Sequence, residues 1–412
     1  MTQPLSPPRK RSPLNRTLAP SQPPAARSRT SHGFTAAAAE GRFALQCCAH
    51  CGSFTYPARE ICPECLSTEL PFVEAPRGGV LVSETTVRVP ADVYFRERAP
   101  WRIGLVKLDC GPVMVSHLHG DCAEGERVAM SLQLDKSGQA VAFAKPQQET
   151  PHMQDDRQWR EMTADPKFRR ILVTNGRSPV GLAAVEALLK AGARTIHVGV
   201  PENWKPFPEE ERLRALDGVK LVPLDLGDER SVRDLAADIA GKTDILVNTA
   251  EFVRPGGLTD RQGTSFFQME LAETYMGLVH LAQSFGPAMR MRGADGIDSA
   301  AAWVNVLSVY ALANWQPFGA HAASQAGCLA LSHCLRSELR SGGVKVMNVF
   351  TGPIDGDWFQ TLPPPKVAPR AVADGIVSGL RQGLEEVFVG DVAQDVRRRL
   401  AANPKALERE LG

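Results

Sequence analysis

Four cysteines near the start of the chain have the residue type and spacing that bind a metal ion. Cys48 and Cys51 form one Cys-x-x-Cys unit, and Cys62 and Cys65 form a second after ten intervening residues. Each unit can fold into a tight turn whose backbone amides face the thiolates. Four thiolates close a tetrahedral zinc site that has no open position for catalysis. The spacing therefore predicts a structural Zn²⁺ ion.

A second group of polar residues lies in the stretch WVNVLSVYALANWQPFGAHAASQ, residues 303–325. Ser308 ends an apolar run, His321 follows thirteen residues later, and Gln325 comes four residues after that. A hydroxyl and an imidazole can together orient a carbonyl group and donate a proton, and a neutral amide can hydrogen-bond a sugar. A serine with no base beside it more often satisfies the backbone at a strand end. Both interpretations of Ser308 remain open at this point.

A glycine-containing turn, TNGRSPVG, follows the first apolar strand of the second half of the chain. Its Thr174, Gly176 and Gly181 are candidates for a dinucleotide site, because amides at a helix N-terminus can hold a pyrophosphate. Pro179 weakens that interpretation, since proline has no N–H to offer, although it suits the first turn of a helix. Four more candidates follow later strands: Asp225, Leu226, Asn248 and Ala250. Asp225 and Asn248 could instead maintain the fold by capping a turn and tying adjacent strands.

The composition favours a cytoplasmic protein with several domains. The chain has 412 residues, a net charge of +1 and nine cysteines. Its length exceeds that of a typical single domain, and its charge balance does not favour nucleic acid or a membrane surface. No apolar run approaches the roughly 18 residues that span a bilayer. Paired cysteines in an odd total indicate reduced thiols and metal rather than disulfides.

The elements that must position the cysteines lie in the first third of the chain. Residues 1–38 are rich in Pro, Ser and Arg, and we expect a disordered tail there. A zinc ribbon is predicted at 39–72. Residues 73–147 alternate apolar and polar side chains in the two-residue period of strands, which predicts a small OB-fold barrel. A polar linker is predicted at 148–168.

From residue 169 to residue 412 apolar strands alternate with helices. Examples are the strands TIHVGV and TDILVNTA and the helix PVGLAAVEALLKAGA. This rhythm predicts βαβ units with right-handed crossovers around a parallel sheet, a Rossmann-type doubly wound domain in the α/β class. The last forty residues or so, from Pro369, are expected to be helical and charged.

Residues 40–147 resemble the acyl-CoA-associated proteins in which a rubredoxin-like zinc ribbon precedes an OB-fold, a family first described as a domain of unknown function. The matching features are Cys-x-x-Cys-Gly, Pro57-x-Arg59, Cys62-Pro-x-Cys65, Gly79, the segment 100–108 and Gly125-Glu-Arg-Val128. The resemblance implies an accessory partner of a thiolase-like or other acyl-CoA enzyme.

The second half resembles the short-chain dehydrogenase/reductase family. That family places a serine, a tyrosine, a lysine and an asparagine at the positions held here by Ser308, His321, Gln325 and Thr274. Three of the four are therefore replaced. The family's turn, Thr-Gly-x-x-x-Gly-x-Gly, matches only at its threonine and its last glycine. The resemblance implies NAD(P) as cofactor, while the replacements imply a domain that has lost ordinary turnover.

Three hypotheses follow from the sequence. The favoured one is a scaffold subunit of an acyl-CoA-processing, β-oxidation-type complex, in which the ribbon and barrel dock a thiolase-like enzyme. Its degenerate reductase domain would form a homodimer or a heteromer with an active dehydrogenase. The second is an active NAD(P)-dependent oxidoreductase that acts on a 3-hydroxyacyl-CoA, a 3-ketoacyl-CoA or a related ketone. The third is a single-strand nucleic-acid binder, which sparse aromatic residues and balanced charges make the weakest.

Overall fold

The computed structural model describes residues 1–8, 21–202, 204–259, 263–294 and 299–411. Within these ranges the chain divides into two units. The first contains Met1–Pro7, Ser21–Asp165 and Arg381–Leu384, and the second contains Pro166–Leu380 and Glu385–Gly412. None of the described helices is both long and apolar enough to cross a membrane.

A three-stranded antiparallel sheet carries the cysteine turns. It consists of β1 (Ala44–Cys47), β2 (Phe54–Thr55) and β3 (Phe72–Glu74) in the order β2-β1-β3. Helix α1 (His32–Ala39) precedes this sheet and buries Phe34, which meets the ring of Phe72 edge-on at 5.0 Å. The prediction of disorder across residues 1–38 is therefore wrong at its end, because the alanine-rich run after Phe34 forms a helix with a buried face. Residues 9–20 of that predicted tail lie outside the described residues.

Five strands then close into a barrel in the order β4-β5-β6-β8-β7. Alternating side chains such as Leu81, Val106 and Met114 fill its interior, because successive residues of a strand point to opposite faces. This arrangement confirms the predicted OB-fold. A short helix, α2 (Val93–Glu97), lies between the first two strands. The strands are β4 (Gly78–Val87), β5 (Trp101–Leu108), β6 (Val113–Leu118), β7 (Arg127–Leu134) and β8 (Ala140–Pro146).

The segment predicted as a linker forms part of the first unit as far as Asp165. It contains α3 (Arg157–Met162), capped by Asp156, whose side chain accepts a hydrogen bond from the amide of Trp159 at 2.8 Å. Trp159 is buried and packs against the Phe143 ring at 5.1 Å. A helix of only six residues has too little periodicity to be recognised in sequence, which is why the linker prediction is wrong here.

The second unit is built on a seven-stranded parallel sheet in the order β11-β10-β9-β12-β13-β14-β15. The central strands are buried on both faces, as parallel strands covered by helices must be. The sheet confirms the predicted Rossmann-type fold. Its last strand lies in a region predicted to be helical, so that prediction is wrong for four residues. The strands are β9 (Arg170–Val173), β10 (Thr195–Val200), β11 (Val219–Pro223), β12 (Ile245–Asn248), β13 (Ala302–Ser308), β14 (Lys345–Thr351) and β15 (Glu386–Val389).

Helices cover the sheet, and two of them carry residues of the candidate site. α7 (Ser265–Glu270) continues through a π-helical turn, Leu271–Met276, into α8 (Gly277–Met291). The longest helix, α9 (Gly319–Leu339), carries His321 and Gln325. The other described helices are α4 (Pro179–Lys190), α5 (Glu210–Ala215), α6 (Glu229–Ile239), α10 (Pro369–Gln382), α11 (Asp391–Ala402) and α12 (Pro404–Leu411).

Candidate functional site

The structure brings the sulfur atoms of Cys48, Cys51, Cys62 and Cys65 within 4.8 Å of one another. Cys48 Sγ lies 3.5 Å from Cys65 Sγ, and Cys51 Sγ lies 3.6 Å from Cys62 Sγ. Four sulfurs at about 2.3 Å from a tetrahedral zinc ion are separated by about 3.8 Å, so the cluster fits that ion.

The ionisation of these thiols also calls for a cation. Hydrogen bonds, led by the one from the Ser53 hydroxyl, lower the pKa of Cys62 to about 6. The amide of Ser67 favours the thiolate of Cys65, but burial and the neighbouring sulfurs outweigh it and raise the pKa of Cys65 to about 12. Four thiolates this close repel one another, and a divalent ion between them removes that repulsion.

At the glycine-containing turn the backbone amides are largely occupied by the protein itself. The amide of Asn175 donates to Thr249 Oγ1 at 3.2 Å, and that of Gly176 donates to the Gly199 carbonyl at 2.8 Å. The amide of Gly181 donates to the Oγ of Ser178, which caps α4 ahead of Pro179 at the first helical position. The expectation that Pro179 suits a helix start is confirmed. Few donors remain in this turn for a phosphate group.

Two of the predicted cofactor positions serve close packing. A Cβ atom at residue 181 would lie 1.8 Å from the Asn175 carbonyl oxygen, so only glycine fits there. A Cβ atom at residue 176 would lie 2.2 Å from a methyl group of Val198. These glycines are explained by the strand–helix turn alone, whether or not a ligand binds.

Thr174, Asn248 and Ala250 meet at the ends of two adjacent strands. Thr174 Oγ1 donates to Asn248 Oδ1 at 3.1 Å and accepts from the amide of Thr249 at 2.9 Å. Asn248 Oδ1 also accepts from the amide of Ala250 at 3.2 Å. These bonds tie β9 to β12 at the floor of the site.

Asp225 and Leu226 lie in the turn after β11. Asp225 Oδ1 accepts from the amide of Gly227 at 2.9 Å, and the backbone amide of Asp225 donates to the Ser231 hydroxyl at 3.0 Å. Leu226 is buried in the core. Both residues therefore shape the turn and the core beside the site.

Ser308 and Gln325 are joined directly. The amide of Ser308 donates to Gln325 Oε1 at 2.9 Å, and Ser308 Oγ accepts from the amide of Tyr310 at 3.2 Å. The side chain of Gln325 is 4% exposed, so this bond is shielded from water. Tyr310 stacks on Trp315 at 4.5 Å, and burial raises its pKa to about 12. These contacts hold the ends of β13 and α9 together.

His321 has a partner that sequence reasoning missed. Its Nδ1 lies 2.9 Å from Oε1 of Glu270, and the two residues are 3% and 1% exposed. Because a carboxylate only accepts, the imidazole Nδ1–H is the donor of this bond. Glu270 lies one helical turn before Thr274, whose Oγ1 donates to the Glu270 carbonyl at 2.6 Å. An acid one turn before the asparagine position was the signal that could have found it.

The side chains of Ser308, His321 and Gln325 line a cavity of about 30 Å³. That volume holds one or two water molecules, whereas pockets for organic ligands usually measure about 300–1,000 Å³. Glu251 also lines it, and burial raises the pKa of Glu251 to about 6, although His321 acts in the opposite direction. These residues share a small pocket that is partly open to solvent, and its volume is well below that of a typical pocket for an organic ligand.

Comparison with known proteins places these positions in a family. Residues 169–366 match the family model described as short chain dehydrogenase. The chain is 31% identical over 209 residues to the short-chain dehydrogenase ptmH of Penicillium ochrochloron, a match covering 48% of this chain and 70% of that protein. The chain belongs to the short-chain dehydrogenase family. An uncharacterised oxidoreductase of Staphylococcus haemolyticus is 25% identical over 226 residues, covering 52% of this chain and 91% of that protein.

A crystal structure of a short chain dehydrogenase from Burkholderia cenocepacia in complex with NADP is also similar to this short-chain dehydrogenase. The identity is 28%, the TM-score is 0.54, and the match covers 60% of this chain and 98% of the other.

The first unit has its own relatives. Residues 35–71 match the rubredoxin-like zinc ribbon domain of ChsH2, and residues 72–133 match the C-terminal OB-fold domain of ChsH2. The chain is therefore a fusion of a zinc ribbon and an OB-fold with a Rossmann-type domain. The four-cysteine cluster of the ribbon fits a structural zinc ion.

Proposed function

We propose that this chain is an accessory subunit of an acyl-CoA-processing complex and does not turn over NAD(P) on its own. The zinc ribbon and OB-fold would dock a thiolase-like enzyme, and the reductase-like domain would dimerise or recruit an active dehydrogenase. The two ChsH2-type domains and the replaced catalytic positions both support this proposal.

The small volume of the pocket at the catalytic positions is the observation that carries the proposal. The family's hydride transfer needs space for a nicotinamide beside a tyrosine and a lysine. Here the space is about 30 Å³, and the residues at the tyrosine and lysine positions are committed to Glu270 and to the backbone of Ser308. A neutral glutamine cannot stabilise an adjacent anion as a lysine does. The buried His321 and Gln325 side chains thus make structural contacts at the positions where the family has its reacting groups.

An apolar groove between α8 and α9 supports the recruiting role. Its volume is about 420 Å³, and Leu278, Ala282 and Leu331 contribute apolar walls. Apolar side chains are also exposed on α7 and the π-helical turn, including Phe266, at 42% exposure, and Met269, at 48%. An apolar groove and exposed apolar side chains of this kind favour a protein partner.

The test combines affinity purification with nucleotide titration. We expect the full-length chain, purified from the cells that produce it, to retain a thiolase-like enzyme. We also expect no saturable binding of NADPH or NADH by fluorescence and no oxidation of NADPH with acetoacetyl-CoA. Tight nucleotide binding with turnover that is lost in His321→Ala would overturn the proposal.

An active NAD(P)-dependent oxidoreductase is the second candidate, and one observation favours it. Glu270 orients the imidazole of His321, which is how a general acid is positioned in many enzymes. In that case the pocket would have to widen on binding, and the substrate would be a 3-ketoacyl-CoA or a related ketone. The same titration separates this candidate from the scaffold.

The nucleic-acid hypothesis gains no support from the barrel. Its strands and loops, residues 78–146, are all described, and the large hydrophobic side chains exposed there are aliphatic, as at Val82, Leu105 and Val115. Base stacking needs exposed aromatic rings. Tyr94 and Trp101 are instead buried.

A further inference from the structure

The two cysteine turns of the ribbon repeat one backbone design. In the first, the amide of Gly52 donates to the Cys48 carbonyl at 2.9 Å, and the amide of Cys48 donates to the Ser53 carbonyl at 3.0 Å. In the second, the amide of Leu66 donates to the Cys62 carbonyl at 3.0 Å, and the amide of Cys62 donates to the Ser67 carbonyl at 2.8 Å. Leu66 therefore occupies the position that Gly52 holds in the first turn.

That position requires a left-handed backbone. Gly52 has φ +73° and Leu66 has φ +61°. Glycine adopts this conformation without strain, whereas the Cβ of a leucine clashes with neighbouring backbone atoms. Leu66 also gains no burial in return, since its side chain is 76% exposed. The second turn thus keeps a strained and exposed leucine where the first turn shows that glycine fits.

Exposed apolar and acidic side chains surround Leu66. Ile61, which precedes the first cysteine of the same turn, is 50% exposed. Three exposed glutamates lie in the same segment, and Arg59 is the one basic residue between Pro57 and Leu70. The glutamates are Glu60, Glu64 and Glu69. The second cysteine turn thus exposes two apolar side chains, Ile61 and Leu66, among acidic ones.

We propose that this second cysteine turn is the docking contact for the acyl-CoA enzyme, with Leu66 and Ile61 inserted into an apolar pocket that has a basic rim. This inference rests on the proposed function and names the surface that performs it. An enzyme that binds coenzyme A carries basic residues near the phosphates of its ligand, so an acidic rim on the turn complements such a surface. Strain at an exposed residue is retained where an interaction uses it.

Leu66→Gly separates docking from folding in the full-length chain. We expect this variant to keep its zinc content and to unfold at an equal or higher temperature, because it relieves the strain. We also expect the amount of co-purified thiolase-like enzyme to fall at least about tenfold. Val89→Gly removes another exposed apolar side chain, at 88% exposure, and is expected to leave the co-purified amount unchanged. Loss of zinc or of thermal stability in Leu66→Gly would instead assign Leu66 to the fold and overturn the inference.

Site-specific crosslinking distinguishes a failure of this inference from a failure of the proposed function. A photo-crosslinking residue is placed at position 66 or, for comparison, at position 115 on the outer face of the barrel. Crosslinking of a thiolase-like enzyme from position 66 supports the inference. If that enzyme co-purifies but crosslinks only from position 115, the inference is overturned and the proposed function stands. If the unmodified chain retains no such enzyme, the proposed function fails, and the inference fails with it.

Discussion

The hydrogen bond between Glu270 and His321 makes the stability of each buried side chain depend on the other. Both side chains are almost fully buried, and Oε2 of Glu270 has no partner among the described residues. Removal of one member of a buried pair leaves the other without a hydrogen bond, which costs more than the pair itself contributes. The pair is therefore best judged by changing both residues together.

A double-mutant cycle measures this coupling. We expect Glu270→Leu and His321→Phe each to lower the free energy of unfolding by about 2–3 kcal/mol, since each leaves a buried polar group unsatisfied. The double variant replaces the pair with apolar side chains of similar size, so it should be less destabilised than the sum by at least about 1 kcal/mol. Urea unfolding of the three variants is the measurement. Strict additivity would show that the bond does not exist in solution.

Glu251 makes stability depend on pH in an unusual direction. Burial raises its pKa from 4.5 to about 6, so the folded chain binds more protons than the unfolded chain between those values. Stability contributed by this group therefore falls as pH rises through that window. We expect Glu251→Gln to be more stable than the wild type by up to about 2 kcal/mol above pH 6, with no difference below about pH 4.5. Chemical unfolding across this range is the check, and a difference independent of pH would contradict the assignment.

At the scale of single residues, the sequence identified the candidate site residues better than it identified their hydrogen-bond partners. The four cysteines could be found from spacing alone, and so could the replacements at His321 and Gln325. Glu270 could not, because its contact with His321 joins residues 51 positions apart on two helices. The Gln325–Ser308 bond was hidden for the same reason, since only the fold brings α9 against the end of β13.

At the scale of elements, α8 and α9 present the groove that the scaffold hypothesis needs. Arg290 and Glu338 lie at this groove with opposite charges, so a second copy related by a two-fold axis could pair them. Under the proposed function, assembly through α8 and α9 is the role of this domain.

A charge placed in the groove tests that role. Leu331→Glu buries a carboxylate in any interface formed there, and we expect at least about a tenfold weaker self-association or partner association. Leu258→Glu, at a residue that is 72% exposed outside the groove, is the matched control. Light scattering with size-exclusion chromatography measures the mass of both variants. An unchanged oligomeric state in Leu331→Glu would exclude the groove as an interface.

The order of helices and strands was largely predictable from the period of the apolar residues and from the turn residues between elements. The strands of the parallel sheet are continuous apolar runs, and the barrel strands alternate, so their types were evident. β15 and α3 were missed because each is only four to six residues long, as at Glu386–Val389. Short elements are defined by the neighbours they pack against, which a single sequence does not reveal.

At the scale of the whole molecule, the two units have separate cores. The barrel core contains Leu81 and Met130, and the core of the sheet unit contains Trp303 and Phe285. The zinc cluster belongs to the first unit alone. The stability of the ribbon is therefore tied to its metal, as in other small zinc domains.

Zinc removal should act on one unit only. We expect a zinc-specific chelator, or Cys65→Ser, to abolish the cooperative unfolding of the ribbon and to leave the transition of the parallel-sheet unit in place. Differential scanning calorimetry of the full chain, with zinc measured in parallel, checks this expectation. Cys334→Ser, at an exposed cysteine of α9, is the control that should lose no zinc. Collapse of both transitions together would contradict independent cores.

The contacts of His321 and Gln325 also bear on how easily the family's catalytic residues could be introduced into this chain. A tyrosine at position 321 would meet a buried carboxylate on α7, and a lysine at position 325 would break the bond that joins α9 to Ser308. Each of these single substitutions would therefore weaken the fold. Under the proposed function, the present contacts oppose a stepwise gain of the family's reductase site.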